Sequence, residues 1–221
     1  MSVFDILVKY REGFLSGLGV TLQLCLIIWT LGILLGATLG ALCNRWKISV
    51  GIPARIVSFT LGGIPVLVLL FWLHYPVQSI FNVVIDPFYT AAATLSLINI
   101  FSVSDLVRQV LNDFPNQYVV AANVCGLTPR QTTLNIKLPI VLRQVLPGLL
   151  ILQVSMLQAT LFASLISVDE VFRIAQRINS QVYRPVEIYS ALAFFFLAIC
   201  LPLNGLALWL RTKFTRDLSE Q

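Results

Sequence analysis

Long uncharged apolar stretches alternate with short charged connections along the whole chain. No acidic or basic residue occurs from Gly13 to Asn44. That exceeds the roughly 20 residues a helix needs to cross a bilayer, which predicts a tilted or protruding span over 13–44. A second run, 56–85, is interrupted at Gly62-Gly63-Ile64-Pro65 and halted near His74-Tyr75-Pro76. A glycine pair followed by proline predicts a kink, tolerated in a membrane only where neighbouring protein satisfies the freed backbone. Further runs predict spans over 87–104, 140–168 and 188–210. The leading residues 1–12 place Asp5, Lys9, Arg11 and Glu12 among Phe4, Ile6, Leu7 and Tyr10, an amphipathic pattern suited to lying on the membrane interface. A cleavable signal peptide does not fit, because the first apolar run is too long and acidic residues precede it.

Composition sharpens this picture. The chain is 57% hydrophobic and 11% charged, too few charges for a soluble domain. The fold class predicted is an all-α integral membrane protein, a single transmembrane domain over 1–221 with five spans. The pI of about 9.2 does not imply nucleic-acid binding, since the basic residues sit at the ends of apolar runs rather than in one patch with aromatics. Cys25, Cys43, Cys125 and Cys200 have no metal or redox spacing, and His74, the sole histidine, has no partner ligands. No metal site is expected, and His74 is expected at the headgroups. Gly32, Gly36 and Gly40 recur every fourth residue and give the first span a face without side chains, suited to close helix contact.

The longest polar interruption, 116–139, carries its own stop and start signals. Asn116 after Pro115 is placed to cap a first short helix. Gly126 suits the left-handed position that ends it, with Leu127 folding back toward Ala122. Thr128, Pro129 and Gln131 form a capping-box pattern opening a second helix, which Pro139 is expected to stop. The bland reading is a re-entry loop made helical only to satisfy its backbone. The sharper one is a docking corner.

Ala121-Ala122, Gly126 and Ile136-Lys-Leu-Pro139 resemble the Glu-Ala-Ala signature of membrane subunits of bacterial ATP-binding-cassette importers. The resemblance runs from about Thr21 to Arg211. It is similar to the polar amino-acid branch at Gly63-Ile64-Pro65-Val66-Leu67, at Ser164-Leu-Ile-Ser-Val168 and at Arg184-Pro185-Val-Glu187-Ile-Tyr189. Val120 stands where that family carries its glutamate. Gln158-Ala159 replaces a Lys-Asp pair, and Gln109-Val110 a Gly-Gly pair. The resemblance implies a type I importer fold whose cytoplasmic coupling helix docks an ATPase through Val120, Ala121, Ala122, Gly126, Leu127, Thr128 and Pro139.

It also implies two ATPase subunits, which bind ATP and Mg, a second membrane subunit and a periplasmic or extracellular solute-binding protein. This chain itself is expected to hold no cofactor. The missing glutamate favours a second membrane subunit of different sequence. Asn99, Ser102, Gln153, Ser155 and Gln158 are the candidate solute path; being uncharged, they suit a zwitterion, or else they bond helices together. Asp169, Glu170, Arg173 and Arg177 are candidates for docking the binding protein, or else a self-neutralised surface.

Basic residues fix the expected orientation. Arg45, Lys47, Arg55, Arg108, Arg130, Lys137, Arg143, Arg211, Lys213 and Arg216 share the corner's side. Lys9, Arg11, Arg173, Arg177 and Arg184 lie opposite. This predicts a bacterial inner-membrane protein with the N-terminus outside and the C-terminus cytoplasmic. The spans carry no mid-membrane carboxylate and the chain no visible inverted repeat, which disfavours a secondary transporter. Nor is there a convergent acid, base and nucleophile set for an enzyme. A non-transporting membrane anchor remains the alternative.

Overall fold

The computed structural model describes residues 3–219. The two residues at each end, and the side chains of 3–5 and 215–219 (Arg216 and Asp5 among them), lie outside the described residues. The chain is built from helices α1 (Val3–Lys9), α2 (Arg11–Arg45), α3 (Lys47–Gly63), α4 (Val66–Phe81), α5 (Pro87–Asn112), α6 (Asn116–Val124), α7 (Pro129–Ile166), α8 (Val171–Val182) and α9 (Pro185–Ser219). Helices α2, α5, α7 and α9 are each long and apolar enough to cross a membrane. Helices α3 and α4 together have the length and apolarity of a fifth, broken span, bent by 99° at Gly63-Ile64-Pro65. The bend is far sharper than the expected kink, because Ile64 and Pro65 both adopt extended backbone.

Helices α2 and α5 form the centre. A side chain at Gly36 would come within 2.7 Å of the Ile100 carbonyl oxygen, and one at Gly40 within 2.7 Å of that of Ser104. Gly32 makes room for the Asn99 side chain. The three glycines therefore allow α5 to lie directly on the backbone of α2. Leu24, Ile28, Leu70, Leu95, Met156 and Ala163 fill the core around this contact, joining α2, α4, α5 and α7. At the corner end, Val103, Val107, Phe114, Val141 and Val145 tie α5 to α7.

Proline did not end α7. The helix passes through Pro139 and continues to Ile166. Its backbone widens to an i→i+5 turn over Thr133–Lys137, just before the proline. The widening moves the preceding carbonyl off the ring and absorbs the missing N–H. Similar wide turns cover Lys47–Gly51, before Pro53, and Leu73–Val77, around Pro76. The helices also outrun the apolar stretches. Helix α5 reaches Asn112, with Arg108 paired to Asp105 at 2.8 Å, and α7 starts at Pro129. Charge ends a hydrophobic run, but a helix ends where its backbone hydrogen bonds do.

The Ile6 side chain of α1 is buried with Val171, Ile174, Ile188 and Leu192 of α8 and α9, so one face of α1 packs on the bundle. His74 is half-buried beside the first turn of α5: Nδ1 lies 3.3 Å from Thr90 Oγ1 and 3.2 Å from Gln78 Nε2.

The start of α8 shows complete accounting of a helix N-terminus. Val171 N donates to Thr21 Oγ1 of α2 at 3.2 Å, while Phe172 N and Arg173 N donate to the two oxygens of Glu170 at 2.9 and 2.8 Å. Glu170 is 0% exposed. Burial pushes its carboxyl up to about 7, while the two backbone donors pull the other way.

Two predictions follow from this packing. Gly36→Leu drives a side chain into the Ile100 carbonyl and costs about 1–3 kcal/mol by overpacking, whereas Gly19→Leu, where nothing lies within 4 Å, is near neutral. Thermal unfolding in detergent checks the contrast. For Glu170, the unfolded carboxyl ionises from its ordinary value of 4.5, while the folded one holds its proton to about 7. The folded state therefore binds more protons between these values, and stability falls as pH rises through the window. Glu170→Gln removes that slope in unfolding curves measured across it.

Candidate functional site

The corner between α6 and α7 is assembled from backbone outward. Leu127 N donates to the Ala122 carbonyl and Gly126 N to that of Asn123, each at 3.0 Å, with Gly126 at φ +75°. This pair of bonds closes α6 in a Schellman motif. The chain then turns directly into a capping box: Gln131 N donates to Thr128 Oγ1 at 3.4 Å, and Thr128 N to Gln131 Oε1 at 2.9 Å. Besides Pro139, Asn116 departs from expectation. It is the first residue of α6, its side chain makes no capping bond, and Pro115 holds the cap position.

The corner is fixed to the bundle from beneath. Ala122 is buried, as is Thr132, whose hydroxyl donates to the Thr128 carbonyl at 3.1 Å. Lys137 Nζ lies 5.6 Å from the centre of the Phe114 ring, which packs against Tyr118. Among the expected docking residues, Ala122 therefore faces inward and serves as an anchor. Val120, Ala121, Gly126 and Thr128 are exposed, and Leu127 and Pro139 half-buried. The most exposed large apolar side chains of the corner are Val120 (60% exposed), Val124 (83%) and Leu134 (62%). Sequence reading missed Val124 and Leu134. The signal was available for Val124, which lies four residues after Val120 on the same helix face.

The candidate solute-path residues separate into two groups. Asn99 is 0% exposed; its Nδ2 donates to the Ile28 carbonyl at 2.9 Å and to Gln153 Oε1 at 3.0 Å. Trp29 Nε1 donates to the Gln153 carbonyl at 3.2 Å. These two buried amides bind α2, α5 and α7 together. Ser102 is half-buried and donates to the carbonyl of Ile98, one turn back. Ser155 and Gln158 instead share an exposed strip of α7 with Ile151 and Phe162.

The candidate binding-protein face separates likewise. Glu170 is buried as the α8 cap, where backbone donors consume its oxygens, so it offers nothing to a docking partner. Asp169 pairs with Arg177 at 2.7 Å and more loosely with Arg173 at 3.9 Å. Arg173 also donates to the Ser164 carbonyl at 3.1 Å. The exposed part of this surface sets one carboxylate against two guanidiniums, a small positive excess. Among the described residues, no cluster of His, Cys, Asp or Glu could hold a metal ion.

A capped helical corner at one end of a five-span bundle can be compared with known proteins. Residues 31–216 match the family described as binding-protein-dependent transport system inner membrane components. The chain is 31% identical to the L-cystine transport system permease protein TcyB of Bacillus subtilis, over 86% of this chain and 81% of that protein. It is 26% identical to the histidine/lysine/arginine/ornithine transport system permease protein HisQ of Salmonella typhimurium, over 91% and 92%. The fold is similar to that in a crystal structure of an amino acid ABC transporter with histidines. The TM-score is 0.82 at 25% identity, covering 93% of this chain and 96% of that one. An inward-facing structure of the MetNI methionine ABC transporter shares the fold with a TM-score of 0.67 at 16% identity, over 96% and 97%. Given a matched segment that spans most of the chain, the protein belongs to the family of binding-protein-dependent transport system inner membrane components, the membrane-spanning permease subunits of ABC importers rather than enzymes.

Proposed function

We propose that this chain is the permease subunit of an ATP-driven importer that moves a polar amino acid, or a related small zwitterionic or cationic solute, into the cytoplasm. The observation that carries the coupling part is the corner. Two interlocking caps hold it rigid, Ala122 and Phe114 root it in the bundle, and Val120, Val124 and Leu134 project outward. A rigid lever with an apolar face suits the transmission of movement from an ATPase to α5 and α7. Two ATPase subunits would supply that movement, with ATP and Mg bound in them, and access would alternate across the bilayer. The solute class rests on the relatives, whose names specify octopine, L-cystine, the basic amino acids and glutamine.

The second membrane subunit would complete the path. Ser155 and Gln158 sit on the exposed strip of α7 where two subunits could face each other, and their uncharged groups suit a zwitterion. Val120 cannot accept the hydrogen bonds of the family glutamate. A second subunit of different sequence, carrying that residue, is the assembly that best tolerates the change. The orientation rests on the basic residues and places the corner and C-terminus in the cytoplasm and the N-terminus outside. A solute-binding protein would then meet the opposite end, near Asp169, Arg173 and Arg177.

Val124→Glu should leave folding intact, since the side chain is almost fully exposed, but sharply reduce ATPase association and uptake in proteoliposomes. Gly126→Val places a β-branched residue in the left-handed region, a strain of about 1–2 kcal/mol, and should uncouple ATP hydrolysis from solute uptake. Wild-type solute-stimulated hydrolysis and transport in both variants would sink the lever role. Uptake that does not depend on ATP would favour a secondary transporter, and no dependence of uptake on this chain a non-transporting anchor.

A further inference from the structure

We propose that the cleft between α3 and α5, at the corner end of the bundle, binds the phosphate headgroup of an anionic phospholipid. The cleft has a volume of about 670 Å³, within the range of small-molecule pockets. Its charges do not cancel. The Asp105 carboxylate accepts from the Ser58 hydroxyl and from Arg108 Nε and Nη2, at 3.3 and 2.8 Å for the guanidinium contacts. Asp105 and Arg108 therefore neutralise each other, while Arg55 lines the same cleft and makes no ion pair among the described residues. The surplus is one positive charge beside a half-buried, hydrogen-bonded pair, which suits an oxyanion.

The cleft is also kept open. Added side-chain atoms at Gly62 and Gly63 would meet nothing within 4 Å, so these glycines leave space that no neighbour fills. From Ile56 and Phe59 in its lining, an exposed apolar stripe continues along α3 through Ile52 and Ile48 at helical spacing, with Phe59 84% exposed. A soluble anion would use the cleft and leave this stripe bare. A lipid uses both, with its phosphate against Arg55 and an acyl chain along the isoleucines. Arg45 at the end of α2 and Lys47 at the start of α3 add to the positive field at the same membrane boundary, the arrangement in which basic pockets between spans take anionic headgroups. The inference does not depend on the solute or on the ATPase lever.

The test uses the full chain, purified with its co-purifying subunits in neutral detergent. Its thermal unfolding is followed during titration with dioleoylphosphatidylglycerol, dioleoylphosphatidylcholine or free glycerol 1-phosphate. Only phosphatidylglycerol should raise the midpoint. R55Q, which alters an exposed side chain, should weaken that response about five-fold, the value of one basic group near an anionic lipid. G62L should abolish it by filling the cleft, and R184Q at the opposite end should change nothing. A benzoylphenylalanine at position 59 should cross-link lipid. Equal responses to both lipids, an equal response to glycerol phosphate, wild-type titrations in both R55Q and G62L, or capture of a second membrane subunit at position 59 would each overturn the proposal.

Discussion

The contact between α2 and α5 is the constraint on which the other elements depend. Inside a bilayer, apolar side chains gain little by meeting one another, because lipid is equally apolar. Association then rests on close packing and on polar groups that need partners. This bundle uses both in one place. Gly36 and Gly40 bring two backbones together, and one step along, Gly32 admits Asn99, whose amide bonds the Ile28 carbonyl and Gln153. A buried amide without partners would be costly in that environment. Position and hydrogen bonding therefore specify a single register for α2, α5 and α7.

Rigidity at the centre contrasts with tolerance at the breaks. Five spans that must bend, turn corners and present polar surface need irregular backbone, and irregular backbone needs its hydrogen bonds satisfied. The chain meets this requirement with wide turns near Pro53, Pro76 and Pro139 and with matched caps at Gly126 and Thr128. The start of α8 solves the same problem differently, recruiting Thr21 from another helix and burying a carboxyl to serve as cap. The two ends of the bundle consequently differ in character. One offers an apolar, nearly uncharged lever, and the other a surface of mutually paired charges.

Separating residues that hold the bundle from residues that face outward changes how candidate sites are read. Polar residues in a span attract functional interpretation, yet Asn99 and Gln153 spend their hydrogen-bonding capacity on each other. Ser155 and Gln158, less conspicuous in sequence, occupy the strip left uncovered. The same division applies at the corner, where Ala122 anchors while Val120 and Val124 project, and at α8, where Glu170 caps while Asp169 and Arg177 meet solvent.

The residue pattern alone determined the spans, the glycine contact face and most of the corner. These are governed by local physics: hydrophobic length, the steric freedom of glycine, and hydrogen bonds between residues three to five apart. Tertiary structure decided what depends on neighbours remote in sequence. Pro139 reads as a stop, yet the folded helix passes it by way of a widened turn. Asn116 has the right side chain for a cap, but the backbone places it one residue inside. Burial of Glu170, the inward turn of Ala122, the pairing of Asn99 with Gln153 and the 99° angle between α3 and α4 each depend on surfaces that meet only after folding. Sequence spacing carries no record of which helix lies opposite, and that is the physical reason these features were not legible in it.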